Sequence, residues 1–168
     1  MTDLPVVSDA SPLIGLARVG HLDLLRRLYD RVQVPPQVFE ELQISENRPG
    51  SRALRTAVEE GWLEPVLLAS GDLEFLTLSL GPGEAAAILL AGQRPYRFLL
   101  LDDRRGREVA KRRGLVVIGT GGVLLAAKGG GLIDSVSGVL DRLAATGYRL
   151  SRELRNRVLA LAGEGEEA

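Results

Sequence analysis

The chain has 168 residues with no cysteine and a single histidine, His21, which excludes disulfide frameworks, thiolate zinc sites and histidine-rich metal sites. Its formal net charge of −1 gives no overall positive field, so any contact with nucleic acid must come from local basic clusters. The length, with 45% hydrophobic and 26% charged residues, predicts one soluble globular domain over residues 1–168, in which only the acidic tail 163–168 is expected to lack order.

Short apolar strands and helices alternate along the first half of the chain. "LPVVSD" predicts a buried strand, and the helix that follows is expected to have Ser11 as its N-cap and Pro12 as its first residue. Next come a helix in "HLDLLRRLY", a strand in "RVQV", and helices in "PPQVFEELQ" and "SRALRTAVEEG", the last ended by Gly61. "WLEPVLL" predicts an edge strand, because Pro65 has no N–H to donate to a neighbouring strand.

The second half of the chain continues this alternation and ends in helices. "GEAAAILLAGQ" predicts an alanine-rich helix, "RFLLLDD" a strand, "RRGREVAKRRG" a basic helix stopped by Gly114, "LVVIGT" a strand and "GGVLLAAKGGG" a short helix. From about residue 134 the apolar residues recur at helical spacing, which predicts C-terminal helices. Their apolar stripes are Val136, Val139, Leu140 and Leu143, followed by Leu150, Leu154, Val158 and Leu161.

Acidic residues stand at the ends of the predicted strands. Apolar strands separated by helices predict the α/β class, with a parallel sheet covered by helices on both faces, and such sheets bind ligands beyond the carboxyl ends of their strands. Asp9 closes the first strand, Asp102 and Asp103 close "RFLLL", and Glu84 lies in the first turn of "GEAAAI". These acids are therefore predicted at one edge, although each could instead cap a helix or interact with its dipole.

A cluster of carboxylates favours a hard divalent cation. Neighbouring carboxylates repel one another unless a cation neutralises them or some of them take up protons. Mg²⁺ and Mn²⁺ prefer carboxylate and water ligands and also bind the phosphate oxygens of substrates. The reaction class indicated is metal-assisted phosphodiester hydrolysis, in which the ion activates a water and stabilises the charge that develops on the leaving oxygen.

Four segments in a fixed order resemble a known family, the PIN-domain superfamily, and in particular its bacterial and archaeal branch related to VapC-type toxins. They are "VVSDASPLIGLA", "VPPQVFEEL", "GEAAAILLA" and "LLLDDRRGREVAKRRGLVVIGTGGVLLAAKGGGLI", within about residues 6–134. The resemblance implies a three-layer α/β/α sandwich with a central, mainly parallel sheet. It also implies an acidic quartet that binds Mg²⁺ or Mn²⁺ to cleave RNA, in a protein that is frequently a homodimer held by a small antitoxin.

The resemblance also assigns roles to individual residues. Ser11 matches a hydroxyl that holds a metal-bound water or a phosphate, a role that competes with its expected role as N-cap. Asp102 and Asp103 are alternatives for the last acidic position, and both are kept as candidate metal ligands beside Asp9 and Glu84. The candidate catalytic acids, in chain order, are Asp9, Glu41, Glu84 and Asp102 or Asp103.

Basic residues crowd the predicted helix that follows the paired aspartates. Because one end of this helix lies beside the predicted site, its arginines and lysines are candidate phosphate contacts, with a solvated helix face as the alternative. Lys128 is a further candidate, or else a residue that favourably ends its own helix. The chain has few aromatic residues, so base stacking is not expected to be a main source of affinity. The candidate RNA contacts are Arg104, Arg105, Lys111 and Lys128, and Arg107, Arg112 and Arg113 belong to the same basic run.

Other functions remain open from the sequence. A catalytically inactive PIN-like module that binds nucleic acid or a partner protein is the main alternative, and a phosphoaspartate enzyme or receiver domain is a more remote one. Apolar stripes in "SRALRTAVEEGW" and in the C-terminal helices either complete the core or form a face for a homodimer or an antitoxin. The N-terminus lacks a secretion signal and no apolar run is long enough to span a bilayer, so we expect a cytoplasmic protein without membrane contact.

Overall fold

The computed structural model describes residues 3–165 as a parallel sheet flanked by helices. The strands are β1 (Val6–Ser8), β2 (Val32–Val34), β3 (Leu63–Pro65), β4 (Leu99–Leu100) and β5 (Val117–Ile118). The helices are α1 (Ala10–Arg18), α2 (Asp23–Tyr29), α3 (Pro36–Leu42), α4 (Ser51–Glu59), α5 (Leu73–Thr77), α6 (Pro82–Gln93), α7 (Arg104–Arg112), α8 (Thr120–Gly129), α9 (Val136–Ala145) and α10 (Arg152–Leu161).

The predicted fold class is confirmed: the chain forms an α/β/α sandwich of three layers. Within residues 3–165 the strands lie in the order β3-β2-β1-β4-β5, and every pair is parallel, where the prediction was a mainly parallel sheet. The "WLEPVLL" segment supplies an edge strand as predicted, because β2 is the one strand that β3 pairs with in the described part of the chain. None of the helices within residues 3–165 is long and apolar enough to cross a membrane.

The strand order puts β1 in the centre of the sheet. From β1 the chain moves outward to β2 and β3, and it then crosses back to add β4 on the other side of β1. The backbone N–H of Val7 donates to the carbonyl of Phe98 at 3.1 Å, and the N–H of Asp9 donates to that of Leu100 at 3.0 Å. The carboxyl ends of β1 and β4 therefore form the point where the strand order reverses, which is where open α/β sheets bind ligands.

The core is aliphatic, and its buried residues form one cluster from Val6 to Val158. Helix α6 is the most completely buried helix, with Ala85, Ile88 and Leu90 each at 0% exposure. Its alanines leave room for α3 and for the sheet, both of which pack against it. This all-round burial explains why "GEAAAILLA" is apolar on every face instead of carrying a single stripe.

Several predicted details of the helices are wrong. Helix α1 begins at Ala10, with Asp9 in an extended conformation at the N-cap position, so Ser11 lies inside the first turn. Helix α5 is absent from the prediction, because its five residues are too few to show a helical period. Leu154 and Leu161 of α10 are exposed, at 37% and 70%. Of the predicted stripe on this helix only Val158 is buried, because α10 meets α8 where Gly121 leaves room for the valine side chain.

Part of the predicted acidic tail is ordered. Residues 166–168 lie outside the described part of the chain, but the Glu164 carboxylate accepts hydrogen bonds from the N–H groups of Val136 and Ser137, at 2.8 and 3.1 Å. It also accepts from the hydroxyl of Ser135 at 3.1 Å and pairs with the Lys128 ammonium at 2.8 Å. These partners, with Lys128 the largest influence, lower the pKa of Glu164 to about 2. Glu164 therefore caps α9 and ties the end of the chain to α8.

Replacing this carboxylate should destabilise the protein in a pH-dependent way. A folded-state pKa below the ordinary value of 4.5 means that the stabilisation is complete above pH 4.5 and is lost as the pH falls toward 2. We expect Glu164→Gln to melt at a lower temperature than the wild type at pH 7, with a difference that shrinks between pH 4.5 and 2. Glu153→Gln is the matched control, because the Glu153 side chain is 87% exposed. A constant difference across this range in thermal melts followed by circular dichroism would contradict the capping role.

Candidate functional site

Asp9 is a buried carboxylate at the carboxyl end of the central strand. It is only 4% exposed, and its Oδ1 has no hydrogen-bond partner within residues 3–165. Burial is the main cause that raises the pKa of Asp9 to about 7, and the negative charges of Glu84, Glu41 and Asp102 raise it further. The N–H of Ala10 offsets only part of this effect. A buried, unpartnered oxygen of this kind is costly, because it has lost its contacts with water without gaining others.

Glu41 and Glu84 come to this edge from two helices that pack against each other, α3 and α6. The carboxylate of Glu41 lies over Gly83, so close that a Cβ atom at Gly83 would be 2.4 Å from its Oε1. Glu84 is half-buried, and its pKa is raised chiefly by burial and then by the charge of Asp103, with a smaller effect of Glu41. Because Gly83 has no side chain, the Glu41 carboxylate can lie against the first turn of α6.

Asp102 and Asp103 have different surroundings. Asp102 is half-buried, with its Oδ1 accepting the N–H of Thr120 at 2.8 Å and its Oδ2 accepting the Thr120 hydroxyl at 2.6 Å and the hydroxyl of Tyr148. Burial raises the pKa of Asp102, although Thr120 and the charge of Arg107 act in the opposite direction. Asp103 is exposed and caps α7, with its Oδ2 accepting the N–H of Gly106 at 2.8 Å. The helix-capping alternative therefore holds for Asp103, which does not prevent its other oxygen from binding a ligand.

The five acidic residues surround the carboxyl ends of β1 and β4. Asp9 is within electrostatic range of Glu41, Glu84 and Asp102, and Glu84 is within range of Asp103. Within residues 3–165, however, no three acidic or histidine side chains are close enough together to hold a metal ion as they stand. The orphaned oxygen of Asp9 and the raised pKa values of three carboxyl groups fit a hard divalent cation, which would neutralise their repulsion.

Gly83→Ala should disturb this cluster with little effect on stability. The added methyl group would displace the Glu41 carboxylate, which is an exposed and flexible end, and we expect affinity for Mn²⁺ to fall about tenfold. Stability should change by less than about 1 kcal/mol, because alanine is the better helix former. Gly92→Ala on the same helix is the control, since a Cβ atom there meets nothing within 4 Å. Titration calorimetry of both variants with Mn²⁺ tests this, and equal affinities would contradict it.

The predicted basic residues fall into two groups. Arg107 and Arg113 have partners inside the protein: Arg107 donates to the carbonyl of Leu101 at 2.9 Å, and Arg113 pairs with Asp72. Arg104, Arg105 and Lys111 are exposed on α7. The Arg104 side chain is 95% exposed and only 3.7 Å from its partner Glu108. Arg112, in the last turn of the same helix, is exposed as well.

The other two predicted contacts, Lys128 and Ser11, lie on α8 and α1. Lys128 lies at the end of α8 away from Asp102, where Glu164 and the carbonyl of Ala162 hold its ammonium group. Lys128 thus forms an ion pair that no local pattern in the sequence indicates, and its contact with a phosphate stays a prediction. Ser11 is exposed in the first turn of α1, two residues after Asp9, and is free of the capping role that the sequence predicted.

Thr120 and Tyr148 were missed by the sequence reading. Thr120 follows a strand and starts a helix, a position where a polar residue at the same edge of the sheet could have been suspected. Tyr148 is on the connection between α9 and α10, and nothing in its local sequence links it to Asp102.

A protein-family model described as a PIN domain matches residues 5–164, which is nearly the whole chain. No curated protein and no solved structure matches the chain significantly.

Proposed function

Because this chain belongs to the PIN-domain family, whose members are generally nucleases, we propose that it is an endoribonuclease that depends on Mg²⁺ or Mn²⁺. The observation that carries this proposal is the buried Oδ1 of Asp9, which has no hydrogen-bond partner among the described residues while three other carboxylates are within electrostatic range. Clustered carboxylates with an unpartnered buried oxygen destabilise the folded state, whereas a bound cation would neutralise their charges and contact that oxygen. The family membership supports nuclease chemistry, and PIN domains typically use divalent metal ions.

The roles of the acidic residues follow from their positions. Asp9, Glu84, Asp102 and Asp103 would hold the ion, and Glu41 would add negative charge to the side of the site formed by α3. When bound, the ion would polarise the scissile phosphodiester and make a water molecule a stronger nucleophile. Ser11 is exposed two residues after Asp9, where its hydroxyl can orient a water or a phosphate oxygen.

The proposal is tested by cleavage assays with the purified protein. Single-stranded and structured RNAs of defined sequence, and a DNA of the same sequence, are incubated with Mg²⁺, with Mn²⁺ or with excess chelator. We expect internal cleavage of RNA that requires the metal. Cleavage that survives in chelator, or cleavage of DNA alone, would overturn the proposed chemistry or the proposed substrate.

Arg104 and Arg105 are proposed as phosphate contacts, because they are exposed in the first turn of α7, directly after the Asp103 cap. Replacing both with alanine should weaken RNA binding roughly tenfold and reduce the slope of log affinity against log salt by roughly 1.5 units, because each phosphate contact contributes about 0.7 to 0.9. Lys111, farther along α7, should contribute less. Arg18→Ala is the control, because Arg18 is at the end of α1 that is remote from Asp9. Fluorescence anisotropy at several salt concentrations measures both quantities, and unchanged binding would exclude these contacts.

A catalytically inactive module that binds nucleic acid or a partner protein is the second candidate. One observation favours it: within residues 3–165, no three acidic side chains are close enough together to hold a metal ion as they stand. RNA binding without cleavage at any Mg²⁺ or Mn²⁺ concentration would support this alternative over the enzyme.

We propose further that the protein is the toxin of a toxin–antitoxin pair and that it rests as a homodimer with a small antitoxin. The predicted stripe on α4 is used in the core, where Leu54 and Ala57 are buried. Surface for partners remains at Leu67, Phe75 and Leu78, which are 69–82% exposed. Solution scattering at micromolar concentration should give a dimeric mass, and a monomeric mass would contradict this part of the proposal.

A further inference from the structure

Tyr148 reaches the acidic site from the far end of the chain. It follows Gly147, whose φ of +91° turns the backbone at the end of α9. Its ring packs against α1 at Gly15, where a Cβ atom would be 2.8 Å from the ring carbon Cδ2. Any larger residue at position 15 would therefore push the ring out of place. The helix that begins next to Asp9 thus carries a gap that the tyrosine ring fills.

The hydroxyls of Tyr148 and Thr120 share one acceptor, the Oδ2 of Asp102. The Tyr148 hydroxyl contacts this Oδ2 and lies 3.0 Å from the hydroxyl of Thr120, which itself donates to the same Oδ2. The N–H of Thr120 holds the other carboxylate oxygen. Asp102 is therefore fixed from two sides, by the start of α8 and by the connection between α9 and α10.

The two helices on either side of Tyr148, α9 and α10, are also held in place by contacts at their far ends. Glu164, after α10, caps the start of α9 and pairs with Lys128 of α8. Between these points Val158 of α10 packs on Gly121, one residue after Thr120. The C-terminal helices are thus fastened to α8 at both ends, so the position of the tyrosine hydroxyl relative to Asp102 is determined by packing.

We propose that Tyr148 is a positioning residue, whose hydroxyl orients the Asp102 carboxylate for cation binding and makes the C-terminal helices part of the functional site. This inference rests on the proposed function, since it assumes that a cation binds at this edge. Carboxylates that bind metal ions are themselves held by hydrogen bonds, and loss of such a partner typically lowers metal affinity about 10- to 100-fold. The arrangement of Asp102, Thr120 and Tyr148 has this form.

Tyr148→Phe tests the inference, because phenylalanine keeps the ring against Gly15 and removes only the hydroxyl. Tyr96→Phe is the matched control: it also removes a tyrosine hydroxyl with a side-chain partner, the Oε1 of Gln33 at 2.8 Å, on the segment that leads into β4 instead of at its carboxyl end. Mn²⁺ affinity is measured by titration calorimetry, together with the melting temperature of the metal-free proteins and the amide resonance of Thr120. The Mn²⁺ concentration that gives half-maximal RNA cleavage is measured as well.

We expect Tyr148→Phe to bind Mn²⁺ at least tenfold more weakly, to need correspondingly more Mn²⁺ for half-maximal cleavage and to shift the Thr120 resonance, with a melting temperature close to that of the wild type. Tyr96→Phe should leave Mn²⁺ affinity and the Thr120 resonance unchanged. If Tyr148→Phe binds Mn²⁺ as tightly as the wild type, or more tightly, the inference is overturned while the proposed function stands. If the wild type binds neither Mn²⁺ nor Mg²⁺ in the same titration, both are overturned. Equal losses in the two variants would reduce Tyr148 to a packing residue and overturn the inference.

Discussion

Asp9→Asn is expected to abolish metal-dependent RNA cleavage, with a loss in kcat/KM of more than about 100-fold. Losing a group that merely supports a metal ligand typically costs about 10- to 100-fold, and removing the central ligand itself should cost more. Asparagine keeps the size of the side chain, so the loss would come from the missing charge. The variant would leave Glu41, Glu84 and Asp102 without the partner that completes the cation site. Initial cleavage rates on a labelled RNA in Mn²⁺ measure the effect.

Asp23→Asn provides the control for this experiment, because it makes the same chemical change at a side chain that is 62% exposed on α2. It should cleave RNA at the wild-type rate. If Asp9→Asn retained more than about a hundredth of the wild-type rate, Asp9 would not be the central ligand and the proposed mechanism would fail.

The same substitution is expected to stabilise the metal-free protein at alkaline pH. The folded-state pKa of about 7 lies above the ordinary value of 3.8, so the folded protein holds a proton on Asp9 that the unfolded chain releases. The stability of the wild type should therefore fall as the pH rises from about 4 to 7 and stay low above pH 7. Asp9→Asn lacks this loss, and we expect it to be more stable by on the order of 2 to 4 kcal/mol at pH 8.

Urea unfolding at pH 5 and pH 8, in chelator and in Mn²⁺, measures this effect. In chelator, the free energy of unfolding of the variant relative to that of the wild type should increase as the pH rises. In Mn²⁺ the wild type should recover stability through ion binding, and the variant should not. A variant that is less stable than the wild type in chelator at pH 8 would show that the Asp9 carboxylate is satisfied within the fold. The combined result would identify Asp9 as a residue kept for function at a cost in stability.

Local sequence patterns determined most of the secondary structure of this protein and the chemical type of its site. Apolar strands followed by proline- and glycine-bounded helices predicted the parallel sheet, because strand and helix periods are short-range properties. The same boundaries located Asp9, Asp102 and Asp103 at strand ends and Glu84 in a first helical turn. The prediction was least exact at such boundaries. Helix α1 starts at Ala10 and not after Ser11, and Leu161, the last residue of α10, is exposed although the pattern predicted it in an apolar stripe.

Tertiary structure alone decided which of these residues meet. Asp9 lies beside Asp102 because β1 and β4 are neighbours, and the order β3-β2-β1-β4-β5 is not encoded in any single segment. The Glu41 carboxylate lies over Gly83, at a place that a side chain at position 83 would occupy. The Tyr148 hydroxyl contacts Asp102, which is 46 residues earlier in the sequence. Lys128, which the sequence predicts as a phosphate contact, forms an ion pair with Glu164 because the end of the chain packs beside it. Contacts of this kind depend on how helices and strands pack together, and local periodicity carries no information about that packing.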